Sequence, residues 1–291
     1  MKRYIALQKI VEFGSFAKAA EDLGYTQSAL SQAIASLESE LGITLLKRSR
    51  TGSSLTDEGE EIFPYIERTI YQYHASKEKA KDIKGLKTGV IRMGTVSSIT
   101  VNILPPIIKE FHKMYPDVEF VINQGDYTSI EEWVRTGAVD FGFVSSENVK
   151  GIEVIPLKTD NFVAVLPSDH PLTALDIVPI EELAKEPFVM LEMGKNSEVE
   201  KAFKSAWVKP KVRYKLHDDY GIMSMVESGL GVSLLAEMII NRTNFDIVTR
   251  PVEPPVQRVI SIGYKDKLEL PLAASKFITA TQNYIKEHEE L

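Results

Sequence analysis

Between Phe16 and Leu41 the apolar positions follow helical spacing and are interrupted once, at Gly24. Glycine takes φ > 0 without a Cβ penalty, so the chain is expected to turn sharply after Leu23. Ala19 and Ala20 add little bulk to the first helix, while Leu30, Ala33, Ile34 and Leu37 form the buried stripe of the second. Two closely crossing helices are predicted. Residues 57 to 84 then read as one long helix, with acids in its first turn and Lys77, Lys79, Lys81 and Lys84 towards its end, an order that complements the helix dipole. Its stripe is Ile62, Ile66, Ile70 and Tyr73, broadened by Phe63 and Tyr65, and Pro64 in an early turn is placed to kink it or shift its start.

After Gly85 and Gly89 the pattern changes to alternating strands and helices. Strands are predicted at 90–94, 118–123 and 141–144, with helices at 103–115 and 130–136 between them. The plan repeats with strands at 161–167, 188–191, 211–216 and 256–264 and helices near 180–184, 198–207, 220–228 and 235–241, closing on a helix at 273–288. Such βαβ order implies a mostly parallel sheet with ligands at the C-terminal ends of its strands. Gly229-Leu230-Gly231 reads as a glycine turn into a buried strand and lacks a full nucleotide-binding arrangement.

Chemistry sharpens the first pair of helices. The second one turns Ser28, Ser31, Gln32, Ala35 and Ser36 outward, a face poor in the long charged side chains that surface helices favour. An amide matches the N6/N7 edge of adenine, and hydroxyls donate or accept, so this face suits a major groove. Thr26 is placed to cap the helix, whose first N–H groups, from Gln27 onward, can also hold a phosphate. Beyond Gly42 come a short apolar run, the basic residues Lys47, Arg48 and Arg50, and Gly52-Ser53-Ser54 as a turn: a small wing carrying positive charge to the DNA backbone. The candidate DNA contacts are therefore Thr26, Gln27, Ser28, Ser31, Gln32, Ser36, Arg48 and Arg50. The plain alternative is a helical hairpin whose outer face happens to be small.

Ala19-Ala20, Leu23-Gly24, Gln27-Ser28-Ala29-Leu30-Ser31, Ile34, Leu37-Glu38, Leu41-Gly42, Leu45-Leu46-Lys47-Arg48 and Leu55-Thr56-Asp57-Glu58-Gly59 together resemble the N-terminal signature of LysR-type transcriptional regulators. Leu46 stands where the family often has Phe, a swap that a small core accommodates. The resemblance implies a multidomain chain: an all-α winged helix-turn-helix DNA-binding domain at 1–58, a linker and dimerisation helix at 59–86, and an effector domain at 87–291. It implies that this last part is two-lobed, α/β and similar to type 2 periplasmic binding proteins. Lobe I would take 87–161 and 265–291 and lobe II 162–264, with hinges near 160–163 and 262–266.

Composition sets outer limits. The chain has 291 residues, 44% hydrophobic content and no cysteine, which removes disulfides, thiolate metal sites and cysteine nucleophiles. No signal peptide or long apolar stretch is read, so a cytoplasmic protein without a membrane partner is expected. Net charge is −7, and through Glu58 seven bases meet seven acids. A neutral DNA-binding domain should bind weakly as one copy, so a homodimer or homotetramer on paired half-sites is expected, joined through the long helix.

For the effector, the loop Thr95-Val96-Ser97-Ser98-Ile99-Thr100 offers Ser97, Ser98 and Thr100 beside helix N–H groups. Thr128 and Ser129 add a second helix start, and across the cleft Lys195 and Asn196 precede another. This set suits a carboxylate or another small anion; taken singly, each residue also reads as a helix cap. His217-Asp218-Asp219 has no spacing for a defined metal and reads as loop and helix cap. No metal or cofactor is called for. Two function classes stand: a DNA-binding regulator whose DNA contacts or approach to RNA polymerase respond to a small effector, or a solute binder or enzyme on the same scaffold. The missing signal peptide weighs against transport, and no nucleophile or metal constellation supports catalysis.

Overall fold

Small residues decide how closely the first helices approach. The computed structural model describes residues 1–49, 52–82, 89–146, 149, 151–192, 194, 197–240 and 242–288. In it α1 (Lys2–Phe13), α2 (Phe16–Leu23) and α3 (Gln27–Leu41) bury Leu7, Ile10, Ala19, Ala20, Leu30, Ile34 and Leu37 in one core. Gly24 ends α2 in the left-handed conformation, φ 68°, and Tyr25 N–H reaches back 2.8 Å to the Ala20 carbonyl. These bonds satisfy carbonyls that a helix end leaves orphaned.

The wing is an antiparallel hairpin of β1 (Leu46–Ser49) and β2 (Gly52–Leu55), with Leu46 opposite Leu55 and Ser49 opposite Gly52. Gly52-Ser53-Ser54, expected as a turn, is therefore strand. The glycine is needed there for close approach: a Cβ on Gly52 would stand 2.5 Å from the Gly14 carbonyl oxygen, and Ser53 N–H bonds that same oxygen at 2.8 Å. Glu38 Oε1 accepts from Leu45 N at 2.7 Å and Leu46 N at 3.1 Å, so α3 itself fixes where the wing begins.

Helix α4 (Asp57–Asp82) opens with Thr56 Oγ1 accepting the Gly59 N–H at 2.9 Å and continues through Pro64. The first part of its stripe packs within its own subunit. Ile66 and Ile70 are each 4% exposed within the same core as α1–α3, and Ile62 and Phe63 pack against it. The first half of α4 thus also packs on the core of the N-terminal unit, since three short helices and a hairpin leave one side of that core open. Tyr65, flanking the stripe, is 67% exposed.

The second unit starts at β3 (Gly89–Thr95). Lobe I adds α5 (Ser97–Asn102), α6 (Leu104–Met114), β4 (Val118–Gln124), α7 (Tyr127–Thr136) and β5 (Phe141–Ser145). The single helix expected at 103–115 is two, because α5 uses the hydroxyl-rich loop as its first turn. β3 lies between β4 and β5 and is parallel to both. All five residues of β5 are buried, as a central strand covered on both faces should be.

Two long strands then cross. β6 (Glu153–Pro167) leaves lobe I; lobe II adds β7 (Val178–Pro179), α8 (Ile180–Lys185), β8 (Pro187–Leu191), α9 (Glu198–Ser205), β9 (Lys211–Leu216), α10 (Asp219–Glu227), β10 (Ser233–Ala236) and α11 (Glu237–Ile240). β11 (Ile247–Tyr264) returns, and α12 (Leu272–Glu287) closes on lobe I. A strand going out and one coming back must run antiparallel, and each then pairs antiparallel with β10 or β5. The sheet is thus mixed rather than mostly parallel. In lobe II the pleat sorts the core: Phe162, Ala164, Phe188, Met190 and Leu234 face one layer, and Val165, Val189, Leu191 and Leu235 the other.

The first crossing contains Asp160 and Asn161. The second differs from the expected 262–266: Gln257 and Arg258 stand opposite Asn161 and Asp160, while Ile260, Ile262 and Tyr264 already belong to the lobe I core. Lobe II therefore ends near 257. Among the described residues no helix is long and apolar enough to cross a membrane.

Candidate functional site

The outward face of α3 is built as its sequence predicts. Thr26 Oγ1 accepts the Ala29 N–H at 3.2 Å and lies 3.1 Å from Ser28 Oγ. Gln27, Ser28, Gln32, Ala35 and Ser36 are exposed and Ser31 is half-buried, while Leu30, Ile34 and Leu37 are in the core. Ser36 Oγ accepts from Arg3 Nη1 at 3.0 Å, and Arg3 also pairs with Glu40 at 2.7 Å. Arg3 thus sets a cation beside the face that periodicity alone did not bring there. Lys47 is exposed on β1 and Arg48 stands opposite Ser53 in the hairpin; Arg50 lies outside the described residues.

The second site is a cavity of about 290 Å³ between the lobes, walled by Val96, Phe162, Leu191 and Ala236 and by polar groups from both sides. At its base, Arg258 is 3% exposed. Its Nη2 and Nε lie 2.6 and 2.9 Å from one oxygen of Asp160, Nη2 also donates to Ser98 Oγ at 2.8 Å, and Nη1 to Tyr127 Oη at 3.1 Å. Burial works against the guanidinium charge, but the Tyr127 and Asp160 side chains outweigh it and hold Arg258 above its ordinary range. Burial pushes the Tyr127 hydroxyl up as well. One buried cation thus ties the crossing strands to α5 and α7.

Carboxylates dominate the remaining wall. Asp126, Glu192 and Asp219 line the cavity with His217. Asp126 is occupied, since its oxygens accept from Ser129 N at 2.9 Å and Ser129 Oγ at 3.1 Å. Glu192 meets Lys215 at 3.1 Å and His217 Nε2 at 3.3 Å. Asp219 has the Ser97 hydroxyl; its burial pushes its carboxyl above the ordinary aspartate range, against the opposing pull of Arg258. Across the cleft Ser145 Oγ in lobe I donates to the buried Glu198 Oε1 in lobe II at 2.9 Å.

The expected effector residues divide. Ser97 and Ser98 line the cavity, with Gln124 Nε2 donating to Ser97 Oγ at 3.1 Å. Thr100 does not: its hydroxyl turns back to the Val96 carbonyl at 3.1 Å, as hydroxyls inside helices commonly do. Ser129 is spent on Asp126, which caps α7 by accepting the Ser129 N–H while the Ser129 hydroxyl donates to its other oxygen. Thr128 Oγ1 lies 2.5 Å from where a Cβ on Gly194 would stand, beside the cavity rather than on its wall. Lys195 and Asn196 lie outside the described residues. Asp218 caps α10 through the Gly221 N–H at 2.9 Å, as read, but its neighbour Asp219 faces the cavity and was misread as part of the same cap. Arg258 and Asp160 were missed: each stands in a short polar stretch at the start of an apolar strand run, Lys158-Thr159-Asp160-Asn161 and Gln257-Arg258, which reads as ordinary strand-edge polarity. The described wall thus holds three carboxylates, of which Glu192 is paired with Lys215 and His217, and one arginine already paired with Asp160. Among the described residues no group of His, Cys, Asp and Glu is placed to hold a metal ion.

Comparison with known proteins bears on both sites. Residues 1–60 match the family model "Bacterial regulatory helix-turn-helix protein, lysR family", and residues 84–285 match "LysR substrate binding domain". The chain is 33% identical over 273 residues to the HTH-type transcriptional regulator YvbU of Bacillus subtilis, covering 93% of each. Its fold is similar to that of full-length CbnR in complex with its target DNA, at a TM-score of 0.71 and 18% identity over 97% of both chains. The effector-binding domain of QuiR in complex with shikimate matches 69% of this chain and 99% of its own length, with a TM-score of 0.64 and 22% identity.

Proposed function

The chain belongs to the LysR-type family of DNA-binding transcription regulators with an effector-binding domain, and from that premise we propose how its own residues divide the work. It is a regulator and not an enzyme, as its relatives are. Gln32, with Gln27, Ser28, Ser31 and Ser36 around it, reads base edges from α3; Thr26 orients the helix start, and Arg48 and Arg50 anchor the wing on phosphates. The observation that carries this reading is the exposed, uncharged outer face of α3 above a fully apolar inner one.

A small effector occupies the interlobe cavity and shifts the balance between lobe arrangements, acting from the cytoplasm on promoter DNA. Two copies bind together, because a DNA-binding domain of zero net charge is a weak reader alone. They meet along the side of α4 that carries Tyr65, the stripe of Ile66 and Ile70 being already used. Contact between the DNA-bound dimer and RNA polymerase is part of the same proposal.

The test is a comparison of two variants on a set of duplexes. Gln32→Ala changes the preferred sequence with a cost of about 1–3 kcal/mol on the best site only, whereas Arg48→Ala weakens binding to all duplexes and flattens the salt dependence. Equal losses on every sequence in both variants would refute the base-reading role of Gln32.

A further inference from the structure

We propose that the effector of this cavity is a small organic cation: a primary amine on a short carbon skeleton, its ammonium held by Asp219 and Glu192. The proposal rests on the reading of the cavity as the effector site and adds the chemical class of what fills it.

Donors and acceptors on the cavity wall decide the class. The positive charge of Arg258 faces the cavity but is already committed to Asp160, Ser98 and Tyr127. An incoming carboxylate would have to displace one of these and then stand among Asp219, Glu192 and Asp126. An ammonium meets the opposite situation. It brings three donors and no acceptor, and Asp219 offers carboxylate oxygens for which the wall supplies the Ser97 hydroxyl and the nearby Arg258. Glu192 lies on the same lobe and is shared with Lys215 and His217, both mostly exposed. Leaving Asp219 half-desolvated costs stability; a ligand cation recovers that cost on binding, which makes the carboxylate a recognition element rather than a structural one.

Size and wall chemistry narrow the class. A volume of about 290 Å³ is metabolite-sized. Val96, Phe162, Leu191 and Ala236 give the carbon skeleton an apolar bed, and the Phe162 ring already takes a cation over its face, with Arg258 Cζ 5.7 Å from the centroid. Polar groups from both lobes, Ser97 and Gln124 on one side and Glu192 and Asp219 on the other, face the same space. A short amine spans them, so its binding favours the closed arrangement.

The experiment uses the full chain in calorimetric titrations and thermal shifts with butylamine, 1,4-diaminobutane and lysine, set against butyrate and succinate. The expected result is saturable stabilisation by at least one amine and none by the two carboxylates. Asp219→Asn, isosteric and uncharged, then weakens that amine by about tenfold or more, and Asp219→Ser gives the same loss if the first variant is poorly behaved. Asp117→Asn, which removes an exposed carboxylate before β4, leaves it unchanged. Stabilisation by the carboxylates alone overturns the class and leaves the cavity as effector site intact. So does amine binding that Asp219→Asn does not weaken. Silence of all the amines up to about 10 mM, well above the range of small-ligand affinities of this kind, overturns the class as well. Amine binding that survives Gln124→Trp, which puts a bulky ring on the cavity wall, overturns the site itself and the proposal with it.

Discussion

Replacing Asp160 by asparagine should show how much of the effector domain hangs on one buried charge. The substitution keeps an oxygen for the Met238 N–H, 3.3 Å from Oδ1, and changes only what Arg258 meets at its 2.6 and 2.9 Å contacts. Uncompensated buried charges left by removing one partner cost about 3–5 kcal/mol. Glu198 also acts on Arg258 through space, and Asp219 feels it, so the remaining carboxylates soften the loss. We expect the lower end, about 3 kcal/mol. For a domain of about 200 residues with an unfolding entropy of about 2.1 cal/mol/K per residue, that lowers Tm by about 7 °C.

The assay is given by composition. The chain has two tryptophans, Trp133 and Trp207, both in the C-terminal unit, so urea unfolding followed by tryptophan fluorescence reports that unit alone. Arg258→Met should cost a similar amount, because it leaves Asp160 buried without its cation. The double variant should recover a large part of the sum, with a coupling energy of about 2 kcal/mol or more, as for groups that share one network. A loss below about 1 kcal/mol for Asp160→Asn, the size of a surface pair, would refute the claim that this pair is buried and mutually dependent.

Gly59→Ala drives a Cβ onto the Leu45 carbonyl oxygen at the joint of wing and α4; we expect a loss of about 1–3 kcal/mol, since backbone atoms cannot give way cheaply. It should lower the melting of the N-terminal unit by circular dichroism and weaken DNA binding while leaving the tryptophan-monitored transition in place; a shift in the latter would contradict the division into units. The Asp219 carboxyl is raised in the folded state by burial, so between its ordinary and raised values the folded chain binds more protons than the unfolded one. Its contribution to stability therefore falls as pH rises through that window and is regained on acidification. Asp219→Asn should remove this slope and make the ligand-free protein more stable at neutral pH. An unchanged pH profile from about pH 4 to 7 would show that the carboxylate is not desolvated.

What could be read in the chain follows the range over which each constraint acts. Gly24, Ala19, Ala20 and the Leu30–Leu37 stripe settle the helix-turn-helix within some twenty residues, because conformation and contact there are both local. β11 extends well before the expected 256–264, through Pro251, Pro254 and Pro255, residues that argue against a strand. The structure accommodates them at a register break between Pro251 and Val256, where the ladder is interrupted anyway. That missing half of the strand displaced the second crossing by several residues. Asp160 and Arg258 lie 98 positions apart, and nothing local to either announces the other. The hydroxyls show the opposite failure. Ser97, Thr100 and Ser129 share one local signature, a polar side chain at a helix start, and only tertiary context separates the residue on the cavity wall from those spent on their own helices.

The same context changes what the cavity is for. Arg258 is bonded to the crossing strand through Asp160, to α5 through Ser98 and to α7 through Tyr127, so one group on the cavity wall also fixes how the crossing strands meet lobe I. A ligand that bound by taking over this arginine would have to break the joint that holds the fold. A ligand that answers Asp219 leaves the joint whole and strengthens the link that this lobe II carboxylate already has with the Ser97 hydroxyl of lobe I. It then adds to the existing interlobe bond between Ser145 and Glu198. Only an interaction that differs between open and closed lobes can shift their balance. Asp219, which without ligand has only the Ser97 hydroxyl and the nearby Arg258, is the group through which a bound cation supplies that difference.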